Sequence, residues 1–337
     1  MKKRIFAAFA SLLLLASCAA QDAAELVPAG EERTLSLYVQ NGISDTAADA
    51  LAAFSEKVAD ISGGSLTIGT TYCDDTIAAL DAGCDLIFAD NAEIARADSD
   101  FSAFTSPFYF YDYTHMTTTL NSDDFFSSIS ERLDSLLGAS PLAAFYGGSR
   151  AFASNESEFL DVWDAWQGIH VTVGTDSPLL SVVLKGLGAT VSERDDETVL
   201  SGFLTGEYRT IECDAASLAE IHDTRIKNER VYAYRSFHTV RLSWLMLSAA
   251  AQENLTDVES AVLREAASIA LGENDTAVVE REEEAFRKLE EIGIPVFETE
   301  YENFNSETVK IFQDTVRYRN LWDWEQYETI RTMTMIE

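Results

Sequence analysis

Four histidines and four cysteines are among the residues of this sequence that could hold a metal ion or attack a substrate. No histidine has a second histidine or a cysteine at metal-ligand spacing from it; the four are His115, His170, His222 and His238. The sequence also lacks Gly-x-Ser-x-Gly, Gly-x-Gly-x-x-Gly, a P-loop and His-Glu-x-x-His. We therefore expect no metal, no cofactor and no enzymatic activity. The many carboxylates leave one alternative open, a hydrolase with an acid–base pair of the glycosidase type.

Cysteine use is consistent with export. Cys73 and Cys84 lie 11 positions apart, across a predicted loop and a short helix. This spacing allows a disulfide in an oxidising compartment, and two free thiols are the alternative. Cys213 has no cysteine near it in the sequence.

The start of the chain is typical of an export signal. Basic residues precede an apolar run within residues 1–17, and Leu15-Ala16-Ser17-Cys18 resembles a bacterial lipobox, in which the cysteine after the cleavage site is lipidated. We expect a signal peptide over 1–17, lipidation of Cys18 and a flexible tether over 18–33. An ordinary signal peptide with an incidental cysteine is the alternative. No later stretch is apolar enough to predict a transmembrane helix.

The charge of the chain restricts its partners. It has 57 acidic and 24 basic residues, a formal net charge of −33. Such a chain repels the phosphates of nucleic acids and anionic membrane surfaces, so we expect no nucleic-acid partner. A lipid, and not charge, would hold the protein outside the cytoplasm on the bacterial membrane, at the cell surface or in the periplasm.

The elements that must position any site alternate between strands and helices. Apolar patterns predict strands such as 34–39 and 85–89, with helices between them, in two series over 34–146 and 168–234. This alternation is typical of α/β proteins with mostly parallel strands. Two α/β lobes would place a ligand in the cleft at the carboxyl ends of strands, as in an extracytoplasmic binding protein.

The last third of the chain is predicted to be helical. A capping box at Thr256 precedes a long helix over 258–292, whose pattern breaks only at Gly272. The acidic run 280–284 of that helix is interpreted as a solvated face. A final helix is predicted over 311–328.

Several short segments resemble the solute-binding subunit of TRAP (tripartite ATP-independent periplasmic) transporters, the family that includes C4-dicarboxylate-binding proteins. The segments keep the family's order along the chain. They are Ser106-Pro-Phe-Tyr-Phe110 with His115, Gly148-Ser-Arg150, Trp166-Gln-Gly-Ile-His-Val-Thr-Val173, Gly188-Ala189, and Phe203-Leu-Thr-Gly206 with Glu212.

This resemblance implies a two-lobed, periplasmic-binding-protein-like fold with a ligand cleft between the lobes and a long C-terminal helix spanning both. Lobe I would contain 34–146 and 236–275, and lobe II would contain 147–235 and 276–337. The lobes would close on a small-molecule solute, usually an organic acid. The complex would then engage the small and large membrane subunits of a TRAP-type transporter. A sensor that serves a membrane receptor is the alternative.

The resemblance also implies a ligand-binding set, and the sequence departs from it. Thr172 stands where the family has its main carboxylate-binding arginine, and a hydroxyl offers one neutral bond where a guanidinium offers two charge-assisted ones. Cys213, beside Glu212, stands where the family often has asparagine. Arg150 remains as a partner for an anion. The alternative is a neutral solute such as a sugar, a polyol or an amide.

Other candidates follow by analogy with the family. Gln40 follows the first strand, and Asp90 and Asn91 follow the strand over 85–89, so we expect their side chains to face the cleft. Turn formation is the alternative reading of these residues. Three arginines could replace the missing one from a neighbouring strand or form salt bridges instead: Arg209, Arg235 and Arg241.

Overall fold

The computed structural model of the protein describes residues 32–175, 178–223, 230–320 and 322–332. The expected signal peptide, Cys18 and the expected tether up to residue 31 lie outside the described residues. Within the described ranges, no helix is both long enough and apolar enough to cross a membrane.

Strands and helices alternate along the chain, as predicted. The strands are β1 Arg33–Gln40, β2 Leu66–Cys73, β3 Leu86–Asp90, β4 Ala139–Ser154, β5 His170–Gly174, β6 Thr190–Arg194, β7 Thr210–Asp214, β8 Tyr232–Arg235, β9 Val240–Ser248 and β10 Val296–Glu298. The α-helices are α1 Asp45–Ile61, α2 Thr76–Asp81, α3 Asn91–Ala97, α4 Tyr113–Leu120, α5 Asp123–Leu137, α6 Pro178–Gly186, α7 Asp196–Thr205, α8 Ala249–Asn254, α9 Asp257–Glu291, α10 Tyr301–Asp314 and α11 Trp324–Thr332.

One half of the sheet has the strand order β2-β1-β3-β9-β4. β1 is parallel to β2 and β3, and β9 is antiparallel to β3 and β4. Alternate residues of β1 are fully buried, among them Leu35 and Leu37, and they share an apolar cluster with Phe54 of α1. The apolar side chains that recur at every second residue of β1 therefore pack in one core with those on the apolar face of α1.

The other half of the sheet begins where β4 changes partners. Residues Ala139–Ser149 of β4 pair with β9, and Arg150–Ser154 pair with β7. β5 lies parallel to β6 and β7, while β8 joins β4 to β10. β4 thus passes from one half into the other, and this arrangement confirms the predicted two-lobed α/β fold.

The long helix α9 spans both halves. A capping box at Thr256 starts it, and it continues through Gly272 without a break to Glu291. Its first part places Leu263 in the apolar cluster of the β1 half, and its last part places Phe286 in the cluster that contains Ile211 of β7. The predicted interlobe helix is therefore present.

The elements that differ from the sequence predictions include the final helix and a central strand. The helix predicted over 311–328 is divided into α10 and α11, with Trp322 buried between them against Tyr109 and Phe312. β9 was not predicted. It lies between β3 and β4, and most of its residues are buried, on both faces of the strand.

Candidate functional site

A cavity of about 360 Å³ lies where the chain crosses between the two halves. Its wall includes the residues that follow β1 and β3, the crossing segment of β4, and the start of β9. A second cavity of about 330 Å³ adjoins it and shares Ala92, Thr105 and Thr239 with it. The wall of the second cavity also includes Pro178 and Leu180 of α6. The two cavities together form a cleft at the junction of the halves.

Four residues of the predicted ligand-binding set line the first cavity, namely Gln40, Asp90, Asn91 and Arg150, and Arg241, a proposed substitute arginine, lines it as well. The other three, Thr172, Glu212 and Cys213, are buried and line neither of the two cavities. Parallel strands bring Gln40 and Asp90 together, because β1 and β3 are neighbours and both end at this edge of the sheet.

The side chains of Gln40, Asp90 and Asn91 already hold the structure around the cavity. Gln40 donates to Asp90 Oδ2 at 3.1 Å and accepts from the Asp90 amide at 3.0 Å. Asp90 also caps α3 by accepting from the Glu93 amide. Asn91 is buried, donates to the Phe101 carbonyl at 2.6 Å and accepts from Trp244 Nε1 at 3.0 Å.

Arg150 is buried, and three carboxylates among the described residues contact its guanidinium. Glu212 accepts from Nε and, at 2.8 Å, from Nη2. Asp196 accepts from both terminal nitrogens at 2.9 Å, in the parallel two-bond geometry that guanidinium and carboxylate groups favour. Asp214 accepts from Nη1 at 3.4 Å. These five contacts equal the number of N–H donors on an arginine side chain.

Glu212 is the centre of this cluster. Burial would raise its pKa, but the charge of Arg150 and the contact with His238 lower the pKa to about 2. His238 Nε2 lies 3.4 Å from Glu212 Oε1, and burial lowers the pKa of this histidine. Gly174 also donates its amide to Glu212. Glu212 is therefore ionised and fully enclosed.

Arg241, one of the three arginines proposed as substitutes, joins the same cluster. It donates to Asp196 at 2.7 Å and lies 3.2 Å from Asp214. Arg235 instead pairs with Glu283 and Glu298, and Arg209 lines neither of the two cavities. Asp196 and Asp214 were not predicted from the sequence. Only the pairing of β4 with β7 and the start of α7 bring them to Arg150.

The crossing segment is tied to the long helix. Asn274 donates to the Tyr146 carbonyl at 2.8 Å, and Asp275 accepts from the Tyr146 amide at 3.3 Å and from the Tyr113 hydroxyl at 2.9 Å. Next to Tyr146, Gly147 has no room for a side chain, because an added Cβ would lie 2.9 Å from Arg241 Cβ. Gly148 has a φ of +111°, which glycine adopts most readily.

Cys73 and Cys84 are free thiols, so the disulfide that their spacing allowed is not formed in the structure. Burial raises the pKa of Cys84 to about 11. Burial also raises the pKa of Cys213, which leaves this cysteine a neutral thiol. Among the described residues, no group of histidine, cysteine and carboxylate side chains could hold a metal ion.

A divided α/β sheet, a helix that spans both halves and a cleft at their junction define a two-lobed solute-binding protein. The chain belongs to the family described as bacterial extracellular solute-binding protein, family 7 (DctP), whose model matches residues 40–317. No curated protein matches the sequence at a significant level.

Solved structures share the fold at low sequence identity. A TRAP periplasmic solute-binding protein from Escherichia fergusonii, in an apo open form, has a TM-score of 0.73 at 17% identity, covering 89% of this chain and 99% of that one. Another from Roseobacter denitrificans, with bound 3-deoxy-D-manno-oct-2-ulosonic acid, has a TM-score of 0.68 at 17% identity, with coverage of 88% and 99%. A third from Xanthobacter autotrophicus Py2, with bound β-D-galacturonate, has a TM-score of 0.62 at 17% identity, again with coverage of 88% and 99%.

Proposed function

We propose that this protein is an extracytoplasmic lipoprotein that captures a small organic acid or a related polar solute and delivers it to a TRAP-type transporter. The observation that carries the proposal is the cavity of about 360 Å³ at the junction of the two sheet halves. Its volume lies in the range of small-molecule sites, and its wall contains both polar and apolar residues. Membership of the solute-binding family supports the same function.

Capture would involve closure of the two lobes. We assign 34–146 with 236–275 to lobe I and 147–235 with 276–337 to lobe II. The chain would bend at the crossing near Gly147 and Gly148, and at the second crossing near Ser236. Phe237 in that second crossing has a φ of +44°, an uncommon conformation for a residue other than glycine.

A binding screen tests capture. The mature chain carrying Cys18→Ser, and therefore without its lipid, is heated with sugar acids, other organic acids, sugars and polyols. A ligand should raise the melting temperature in proportion to its concentration relative to Kd. Small-angle scattering should then show a smaller radius of gyration with the ligand bound. A protein that no small polar solute stabilises would contradict the proposal.

Anchoring and delivery have separate tests. Cells that express the full chain should incorporate a labelled fatty acid into it, and Cys18→Ser should abolish the label. Uptake of the identified solute should require this protein together with a small and a large membrane subunit. Uptake that persists without the membrane subunits would contradict delivery to a TRAP-type transporter.

A further inference from the structure

We propose that the cavity takes an uncharged, hydroxyl-rich solute, a sugar or a polyol, and discriminates against carboxylates. This inference rests on the proposed solute-binding function and specifies the class of solute. Four features support it. The guanidinium of Arg150 is occupied, and the other arginines on the walls have carboxylate partners. The cluster around Arg150 is negatively charged, and the buried hydroxyl of Thr239 has no hydrogen-bond partner among the described residues.

The guanidinium of Arg150 has no N–H donor left for a ligand carboxylate. Its five donors are matched by the five contacts to Glu212, Asp196 and Asp214. Asp196 occupies both terminal nitrogens, as the carboxylate of an anionic solute would. A solute carboxylate at Arg150 would have to displace Asp196, and Asp196 would then lose both of its bonds to Arg150.

The other arginines on the walls are paired as well. Arg241 contacts Asp196 and Asp214. Arg96, on the wall of the adjoining cavity, has one ion-pair contact, 3.6 Å from the buried carboxylate of Glu93, and its side chain is 65% exposed. Within the described ranges, these two and Arg150 are the only basic residues that line either cavity.

The cluster has more negative than positive charges. Arg150 and Arg241 contribute two positive charges, and Asp196, Glu212 and Asp214 contribute three negative ones when ionised. Asp90 adds a further carboxylate on the wall. This potential repels an anion at the site, in a chain whose net charge is already −33.

Thr239 offers the kind of partner that a solute hydroxyl needs. It is nine-tenths buried and lines both cavities, yet its Oγ1 has no hydrogen-bond partner among the described residues. Because Oγ1 is itself buried, a solute hydroxyl would reach it only as the lobes close, and it would then satisfy it, since a hydroxyl can both donate and accept. Leaving such a group unpaired is unfavourable, and a bound hydroxyl would remove that cost.

The test compares solutes that differ only by oxidation of one carbon to a carboxylate. The pairs are galactose with galacturonate, glucose with glucuronate, and galactitol with galactonate. Binding to the mature chain carrying Cys18→Ser is measured by calorimetry and by the shift in melting temperature. We expect the uncharged member of at least one pair to bind at least tenfold more tightly than its acid.

A variant tests the role of Asp196. Asp196→Asn removes the charge that occupies Arg150, so the acid of the preferred pair should bind at least tenfold more tightly than it does to the wild type. The matched control is Asp195→Asn, the adjacent residue, which caps α7 through Thr198 and does not contact Arg150. The control should keep the wild-type preference.

The outcomes separate this inference from the proposed function. Tighter binding of the acids by the wild type would overturn the inference and leave solute capture standing. An Asp196→Asn variant that gains no acid binding while it stays folded would also overturn it. The wild-type preference decides the question if that variant does not fold. If no member of any pair binds, the inference fails, and the proposed function fails with it if the wider screen is also negative.

Discussion

The carboxylate of Glu282 accepts a hydrogen bond from the hydroxyl of Tyr146 at 2.9 Å, although the two residues lie 136 positions apart. Glu282 also accepts from the amide and, at 2.9 Å, from the hydroxyl of Ser149. One buried side chain of α9 therefore holds β4 on both sides of Gly147 and Gly148. This contact fixes the crossing between the lobes relative to the helix that spans them.

Removing this carboxylate should destabilise the protein. Glu282→Ala leaves the Ser149 amide and the Tyr146 hydroxyl buried without an acceptor, and we expect a loss of about 3 kcal/mol in the free energy of unfolding. Urea unfolding measures it. The control is Glu280→Ala, an exposed residue of the same helix, which should cause no measurable change. Equal stability of the two variants would show that the contact contributes nothing.

Asp275 should make stability depend on pH. Burial raises its pKa to about 6, so the folded state holds a proton that an unfolded aspartate with a pKa near 4 releases. The stabilisation is complete below pH 4 and is lost as the pH rises through 6. Relative to Asp275→Asn, the wild type should lose about 1 kcal/mol between pH 5 and pH 7.5.

Unfolding of both proteins at these two pH values measures this difference, and all other titrating groups cancel in the comparison. Parallel stability curves for wild type and variant would contradict the prediction. A wild type that gains stability relative to Asp275→Asn as the pH rises would reverse its sign.

The sequence was sufficient for the elements that have strong local patterns. The capping box at Thr256 and the apolar period after it located α9 to within one residue at each end. Gln40 and Asp90 could be placed together because the carboxyl ends of neighbouring parallel strands meet. Both residues line the cavity.

The interpretation of 280–284 as a solvated face is wrong at Glu282, which is buried. A signal was present, since Glu282 lies four residues from both Val278 and Phe286, which are buried on the same stripe of the helix. The acidic composition of the run indicates a solvated face, whereas the spacing of Glu282 from these two apolar residues indicates burial. A buried carboxylate on an apolar stripe needs a partner elsewhere in the chain, and helical spacing does not identify that partner.

The cluster around Arg150 could not be derived from local sequence. Its carboxylates lie 46, 62 and 64 positions away in the chain. They come together because β4 changes its pairing partner from β9 to β7, and that change has no local sequence signal. Family resemblance identified Arg150 and Glu212, but it did not identify Asp196, the residue that occupies both terminal nitrogens of Arg150.

Substitution by alanine should have opposite effects on stability at two glycines that lie in helices. Gly272 lies in α9 with nothing within 4 Å of an added Cβ, so Gly272→Ala should stabilise the protein by about 0.5–1 kcal/mol. Gly202 lies in α7, where an added Cβ would come within 2.3 Å of the Tyr208 ring. Gly202→Ala should therefore destabilise by about 1–3 kcal/mol. Melting temperatures that move in the same direction for both variants would contradict this contrast.

The pair of Arg150 and Glu212 should be strongly coupled, because both side chains are almost completely buried. Arg150→Met leaves Glu212 as an uncompensated charge, and we expect it to cost about 3–5 kcal/mol of unfolding free energy. In the double variant Arg150→Met with Glu212→Leu, both charges are gone, so the loss should be smaller than the sum of the two single losses. We expect a coupling energy of about 1–3 kcal/mol from the double-mutant cycle.

A surface pair provides the comparison for this cycle. Lys310 and Glu307 form an ion pair three residues apart on α10, and Lys310 is 64% exposed. Water and side-chain entropy offset most of their attraction, so their coupling should be about 0.5 kcal/mol or less. Urea unfolding of all variants gives both energies. If the losses at Arg150 and Glu212 are additive, the guanidinium is held mainly by Asp196 and Asp214, and Glu212 contributes to the fold through His238 and Gly174 instead.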